Sequence, residues 1–257
     1  DSLEKEEYIL TVENSGINLI GGSETALFYG KQTLRQLGNI CPCVKIEDKP
    51  AFPYRGFMLD TVRHMFSVED TKKLIDAAAS VKMNVMHWHL TDDQGWRIEI
   101  KKYPELTRKG AWRGKNELIP PTYLSGAERY GGYYTQEELR DIVAYAMERN
   151  IEVIPEIDMP GHSKSLGAVH PAIFCNYTPD TSHTNGIDIR NVWCAAKESN
   201  YALIEDIVKE LVEIFPSQYL HIGGDEVETS QWKSCPDCRA LMERKGYTSP
   251  EQLQAYF

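Results

Sequence analysis

The residues best suited to chemistry lie in HIGGDEV, His221 to Val227. A β-rich run, Tyr219 to Ile222, meets two glycines and then two adjacent carboxylates, Asp225 and Glu226. Neighbours in a regular strand point to opposite faces. After Gly223 and Gly224, which let the backbone turn sharply, both acids can instead lean into one cleft. Crowded carboxylates need not share a pKa: one is pushed up and can donate a proton while the other stays charged. A solvated loop pair is the bland alternative, and the company of the pair weighs against it. Three more strand-like runs carry polar groups at their ends: Arg55 to Asp60, Asn84 to Leu90 followed by Asp92 and Asp93, and Ile151 to Asp158 followed by His162. One such acid is commonly a helix cap and one such histidine a structural side chain, but four ends together suggest a polar rim. Trp88, Trp96, Trp112, Tyr133, Tyr134 and Trp193 cluster near the same ends. Most such rings belong to cores, yet an exposed ring beside carboxylates suits the apolar face of a sugar.

The elements that must position these residues are readable from hydrophobic period. Residues 7–20 alternate around Asn14-Ser15-Gly16, a hairpin signal. Ser23 caps a helix that Gly38 ends, and Val44 to Ile46 is a further short strand. Residues 1–50 therefore read as a small α+β piece, bounded by Pro50 and Pro53. Residues 51–257 alternate strand and helix. Helices are expected after Ser67 (with Asp70) and Thr135 (with Glu138), both capping boxes, over Leu203 to Val212, and from Ser249-Pro250. Two long polar stretches, to about Tyr134 and from Met159 to about Glu198, are longer than simple connectors need. Such alternation implies a parallel sheet with right-handed crossovers. The expected fold is α/β, a (β/α)8 barrel with its chemistry at the carboxyl ends of the strands. An open doubly wound sheet is the alternative, but no GxGxxG follows a strand. Four strand–helix units are visible, half of such a barrel. That half alone would leave sheet edges and an inner face uncovered, so the isolated chain is expected to aggregate and be nearly inactive.

A net charge of −10, from 38 acidic and 28 basic residues, disfavours nucleic acid as a partner. No run of about 18 apolar residues exists to span a membrane. The start, with Asp1, Glu4, Glu6 and Glu7, is not a signal peptide, so a leader has been removed or the numbering begins inside a larger protein. Of six cysteines, Cys235-Pro-Asp-Cys238 resembles half of a zinc site, but no second CxxC or HxxxH partner is present, so neither metal nor cofactor is expected. Asn176-Tyr177-Thr178 fits a glycosylation sequon.

Four segments, YRGFMLDTVRHMF (Tyr54–Phe66), NVMHWHLTDDQGWRIEI (Asn84–Ile100), VIPEIDMPGHS (Val153–Ser163) and HIGGDEV, resemble those of the family 20 glycoside hydrolases, the β-N-acetylhexosaminidases, in that order. The resemblance covers about residues 52–257, and the region before Pro50 is similar to the end of the small domain that often precedes this barrel. It implies retaining hydrolysis of terminal β-linked N-acetylglucosamine or N-acetylgalactosamine with the sugar's 2-acetamido oxygen as nucleophile, an exception to the two-carboxylate schemes. By motif position Glu226 is the general acid and base, and Asp225 accepts the acetamido N–H. The resemblance places Arg55 on sugar hydroxyls and pairs His162 with an acid of the Asp92-Asp93 pair in a relay orienting the acid; either could be the partner, with Asp92 favoured, and Asp158 supports that arrangement. It further implies a glycan partner, no cofactor, and a periplasmic, extracellular or lysosome-like compartment. The acetamido-pocket aromatics of the family come from the later half of its barrel, beyond these motifs. Two rival readings are a non-catalytic amino-sugar-binding remnant and a metal-dependent hydrolase with Asp225, Asp92 and His162 as ligands.

Overall fold

A computed structural model describes residues 3–122, 125–175 and 191–257; the Asn176 sequon lies outside them. The expected hairpin forms from β1 (Tyr8–Glu13) and β2 (Gly16–Gly21), paired antiparallel from Tyr8 with Gly21 to Glu13 with Gly16. Helix α1 (Glu24–Leu37) begins at Ser23, whose hydroxyl accepts the Ala26 N–H at 3.3 Å, and ends at Gly38 with φ +77°. Strand β3 (Val44–Asp48) takes the other edge of β1. Tyr8, Leu10 and Val12 alternate inward from β1 onto Ala26 and Tyr29 of α1, a period-two face against a helix stripe.

Strand–helix alternation follows. Strand β4 (Gly56–Asp60) leads to α2 (Val68–Ser80) and β5 (Val85–His89). The first long polar stretch folds into short pieces: β6 (Thr91–Asp92) with β7 (Gly95–Trp96), α3 (Glu105–Arg108), and β8 (Trp112–Arg113) with β9 (Tyr130–Gly131). Helix α4 (Gln136–Met147) starts with the expected box, Glu138 Oε2 accepting the Thr135 N–H at 2.8 Å and Thr135 Oγ1 accepting the Glu138 N–H at 3.2 Å. Then come β10 (Glu152–Glu156), α5 (Lys164–Val169), α6 (Glu198–Leu211), α7 (Ser230–Ser234), α8 (Pro236–Lys245) and α9 (Pro250–Tyr256), the last with a full capping box on Ser249.

Strands β10, β5 and β4 are ordered in that sequence in one sheet. The backbone bonds Asn84 N to Arg55 O and Glu152 N to Asn84 O join their starts, and Thr61 N to His89 O and Leu90 N to Glu156 O their ends, so all three run parallel. The predicted fourth strand is shorter than its apolar run. Only His221 bridges, in parallel, to Glu156, with Met159 N bonding Ile222 O at 2.8 Å beyond it. Gly223 and Gly224, at φ +65° and +94°, then turn the chain out of the ladder.

The described chain gathers into two compact units. One holds Asp1–Phe57, Val68–Met86 and Ile142–Val153; the other holds Met58–Ser67, His87–Asp141 and Ile154–Phe257. In the first, Lys82 Nζ bonds the Tyr8 hydroxyl at 2.9 Å and Asp48 at 2.8 Å. In the second, two fully buried arginines tie the first long insertion to the segment after β4. Arg97 donates to the carbonyls of Thr61, Val62, Ala111 and Gly132, and Arg113 to those of Val62 and Arg63. Buried guanidinium groups are tolerated because most of their donors are spent on carbonyls, and the result fixes the backbone that carries Arg63.

Candidate active site

All residues of the site described here belong to the second unit. The two glycines deliver Asp225 and Glu226 to the same neighbour. His162 Nε2 lies 3.4 Å from Glu226 Oε2 and 3.9 Å from Asp225 Oδ2. Both acid side chains are about two-thirds exposed, at 70% and 67%, while His162 is buried. Glu226 and His162 both adopt left-handed backbone, φ +48° and +46°. Such conformations are disfavoured by about 1–2 kcal/mol per L-residue and gather at functional sites where the surroundings hold them.

Behind His162 runs a chain of alternating charge. Its Nδ1 lies 3.2 Å from Asp92 Oδ1, against 3.8 Å from Asp93, so Asp92 is the nearer partner. Asp92, fully buried, also accepts from His89 Nε2 at 2.8 Å and Arg63 Nη2 at 2.6 Å. His89 Nδ1 meets Glu156 Oε2 at 2.6 Å, and His87 and His221 reach the same carboxylate at 2.7 and 3.2 Å. Arg63 is held in turn by Asp60 at 2.9 Å, whose other oxygen accepts the Val62 and Arg63 N–H groups.

The charges follow from these contacts. The hydrogen bond to Asp92 holds His162 protonated against the penalty of burial, raising it to about 9. Burial also opposes charge on His89, but its bonds to Asp92 and Glu156 prevail and lift it to about 10. Burial would raise Asp92; hydrogen bonds from His162 and His89 and the Arg63 charge outweigh it and bring Asp92 down to about 2. Glu156 is likewise held far below the usual carboxylate range, its burial outweighed by bonds from His87 and His89. Asp93 goes the other way, to about 7, because it is buried and faces the Asp92 charge. It accepts from the Lys164 N–H at 3.0 Å and from Asn191 Nδ2, which positions the second long loop rather than His162.

Asp158 supports the glycine turn. Its N–H donates to Thr91 Oγ1 at 3.0 Å, and its Oδ1 accepts the Gly224 N–H at 3.3 Å. Burial raises it to about 7. A Cβ on Gly223 would stand 1.9 Å from Asp158 Oδ1. Gly223→Ala therefore meets both a left-handed φ and a clash, and is expected to destabilise the fold by about 1–3 kcal/mol in urea unfolding while displacing the acid pair. Unchanged stability and activity would show that neither constraint holds.

Arg55 does not join this group. Its guanidinium donates to Glu6 Oε2 at 3.2 Å, the Tyr29 hydroxyl at 2.7 Å, and the carbonyls of Phe52 and Lys82, all within the first unit. Those donors are committed to the fold, which corrects the expectation that Arg55 grips sugar hydroxyls. Arg63, the second arginine of the same motif, joins the group instead, bonding Asp92 at 2.6 Å and Asp60 at 2.9 Å. Most of the aromatics are core, as expected: Trp88, Trp96, Trp193 and Tyr134 are buried, and Trp112 stacks under Arg129, leaving only Tyr133 of the six exposed, at 37%. His162, Asp225 and Glu226 also converge closely enough to suit a cation.

The match to known proteins follows the same segments. Residues 52–257 match the family described as glycosyl hydrolase family 20, catalytic domain, and residues 1–49 its domain 2. The chain belongs to glycosyl hydrolase family 20. Within the family, a β-hexosaminidase of Porphyromonas gingivalis is 44% identical over 99% of this chain, and one of Vibrio furnissii is 42% identical over 99%. The chain spans 33% and 43% of those relatives' lengths. Among solved structures, a family 20 exo-β-N-acetylglucosaminidase from Vibrio harveyi in complex with N-acetylglucosamine superposes with TM-score 0.91 at 42% identity, over 99% of this chain and 41% of that one. A Streptomyces plicatus N-acetyl-β-hexosaminidase in complex with Thio-NAglucal gives TM-score 0.76 at 35% identity, over 95% and 49%. The family 20 fold is thus the (β/α)8 barrel expected from the strand–helix alternation, and β4, β5, β10 and the His221 bridge are its parallel strands here.

Proposed function

We propose that this chain supplies the acid–base and acetamido-orienting half of a retaining exo-β-N-acetylhexosaminidase. The observation that carries the reading is the convergence of Asp225 and Glu226 on the charged ring of His162. In the first step Glu226 donates its proton to the glycosidic oxygen as the 2-acetamido oxygen attacks the anomeric carbon. The C–O bond to the leaving group breaks and an oxazolinium ring closes. Holding that oxygen in place supplies the proximity gain, and Asp225 accepts the acetamido N–H and offsets the positive charge. Glu226 then takes a proton from water, which attacks the same carbon and reopens the ring with retained configuration. His162, with Asp92, His89 and Glu156 behind it, positions Glu226. Arg63 takes the sugar-hydroxyl role, since its fork is held on Asp92, the partner of His162, and remains 31% exposed.

The proposal extends to a glycan ending in β-linked N-acetylglucosamine or N-acetylgalactosamine as substrate, a domain division near residue 50, and work in a periplasmic, extracellular or lysosome-like compartment. Among the described residues no helix is long and apolar enough to cross a membrane. In an enzyme carrying this chain, a thiazoline mimic of the intermediate should inhibit far more tightly than N-acetylglucosamine, because it resembles a state the site stabilises. Plain β-glucosides should be cut very poorly. A fluorosugar adduct on Asp225 or Glu226, seen by mass spectrometry, would overturn the mechanism.

A further inference from the structure

Four cysteines far apart in sequence meet in the second unit. Cys175, Cys194, Cys235 and Cys238 are all buried, and their sulfurs lie within 4.8 Å of one another. Cys238 Sγ is 3.5 Å from both Cys175 Sγ and Cys194 Sγ, and all four cysteines are free. We propose that these four residues form a closed tetrathiolate site for a structural zinc ion. The site is independent of the hydrolytic reading.

Three features support it. Zinc–sulfur bonds of about 2.3 Å set the sulfurs of a tetrahedral site about 3.8 Å apart, within the spacing found here. A disulfide joins sulfurs two at a time at about 2.05 Å, whereas Cys238 stands equally close to two partners. A central ion satisfies all four sulfurs together. The Cys235–Cys238 pair is also presented as such sites require. Cys235 precedes α8, Pro236 opens the helix, and Cys238 lies in its first turn. The other two ligands, Cys175 and Cys194, both lie within the second long loop but 19 residues apart, so no local spacing announces them.

The ion would hold together the surroundings of the acid pair. Val227, next to Glu226, packs against this cluster, as do Trp232, Leu241 and Leu253. On the Cys194 side, Trp193 N bonds Pro160 O at 2.9 Å, and Trp193 Nε1 bonds Ser163 Oγ at 2.7 Å. The site thus clamps the His162 loop, the segment after HIGGDEV and α8 by one centre, with no side chain of its own toward substrate. If the protein works in an oxidising compartment, where paired disulfides are favoured, the metal competes with oxidation for the same four sulfurs.

The test is metal analysis of purified protein carrying this chain, with mass spectrometry of its thiols. The expected result is about one zinc per chain, four cysteines that resist a thiol reagent until a mercurial releases the ion, and a cobalt-substituted form with the sulfur-to-cobalt charge-transfer bands of a tetrathiolate. Cys194→Ser should lose most of the bound metal, and Cys41→Ser, in the first unit, none. Because the wild-type metal content is itself decisive, a Cys194→Ser chain that fails to fold leaves the test intact. Four free thiols without metal, two disulfides among these cysteines, iron in place of zinc, or full zinc retention by a folded Cys194→Ser would each overturn the proposal.

Discussion

Asp92→Asn is expected to destabilise the fold by about 3–5 kcal/mol, the range seen when one member of a buried ion pair is removed. Asp92 is fully buried and is the common acceptor of His89, His162 and Arg63. Asparagine keeps one oxygen but no charge, and its NH2 must face a donor. Part of the loss is returned at Asp93, which is raised partly by the Asp92 charge and would ionise more freely without it. The dependence on pH has a definite sign. Asp92 falls to about 2 from 3.8, so its stabilisation is present above 3.8 and lost as pH falls through about 2. His162 and His89 rise from 6.5 to about 9 and about 10, so theirs is complete below 6.5 and lost as pH rises through those values. The gap between wild type and variant should be widest between 3.8 and 6.5 and should shrink toward both extremes. Urea unfolding of both forms across that range measures it. A gap below about 0.5 kcal/mol throughout, as for an exposed pair, would contradict the buried charge chain.

Much of this site was legible in the sequence because strand ends in an α/β fold put sequence-distant residues on one rim. Reading where each apolar run stopped found Asp92, Asp158, Asp225 and Glu226, and the next loop residue with a titratable ring was His162. Arg55 was misassigned because a motif gives residue types and order but not which arginine is already saturated. Only the contacts of Arg55 with Glu6, Tyr29 and two carbonyls settle that. His89 and Glu156 escaped notice because they lie inside strands, where polar side chains read as solvent-facing by alternation. In the fold both are buried and pair with each other. Their signal was the His87-Trp88-His89 alternation opposite an acid in the next strand. The aromatic cluster is mostly core, as its residue types led one to expect. Large rings near strand ends fill the core as readily as they line a cleft, and four of the six are buried. Cys175 and Cys194 carry no spacing signal, since a ligand set closed by tertiary structure need not be periodic.

Glu226→Gln, in an enzyme carrying this chain, should lower kcat/KM by about 10²–10⁴-fold on a substrate with a poor leaving group, the usual contribution of a positioned general acid. The amide is nearly isosteric and can still meet His162, so the loss reports the missing proton rather than a lost contact. The proton matters only where the departing oxygen is basic. A nitrophenolate leaves unaided, so cleavage of nitrophenyl N-acetyl-β-glucosaminide should retain most of its first-step rate. Because kcat/KM reports steps through bond cleavage measured from free enzyme and substrate, slow hydrolysis of the intermediate in the variant does not obscure the comparison. The direct measurement is kcat/KM for wild type and Glu226→Gln on that nitrophenyl glycoside and on a β-linked N-acetylglucosamine disaccharide. A large loss on the disaccharide with a small one on the aryl glycoside is the predicted result. Equal losses on both would contradict Glu226 as the acid.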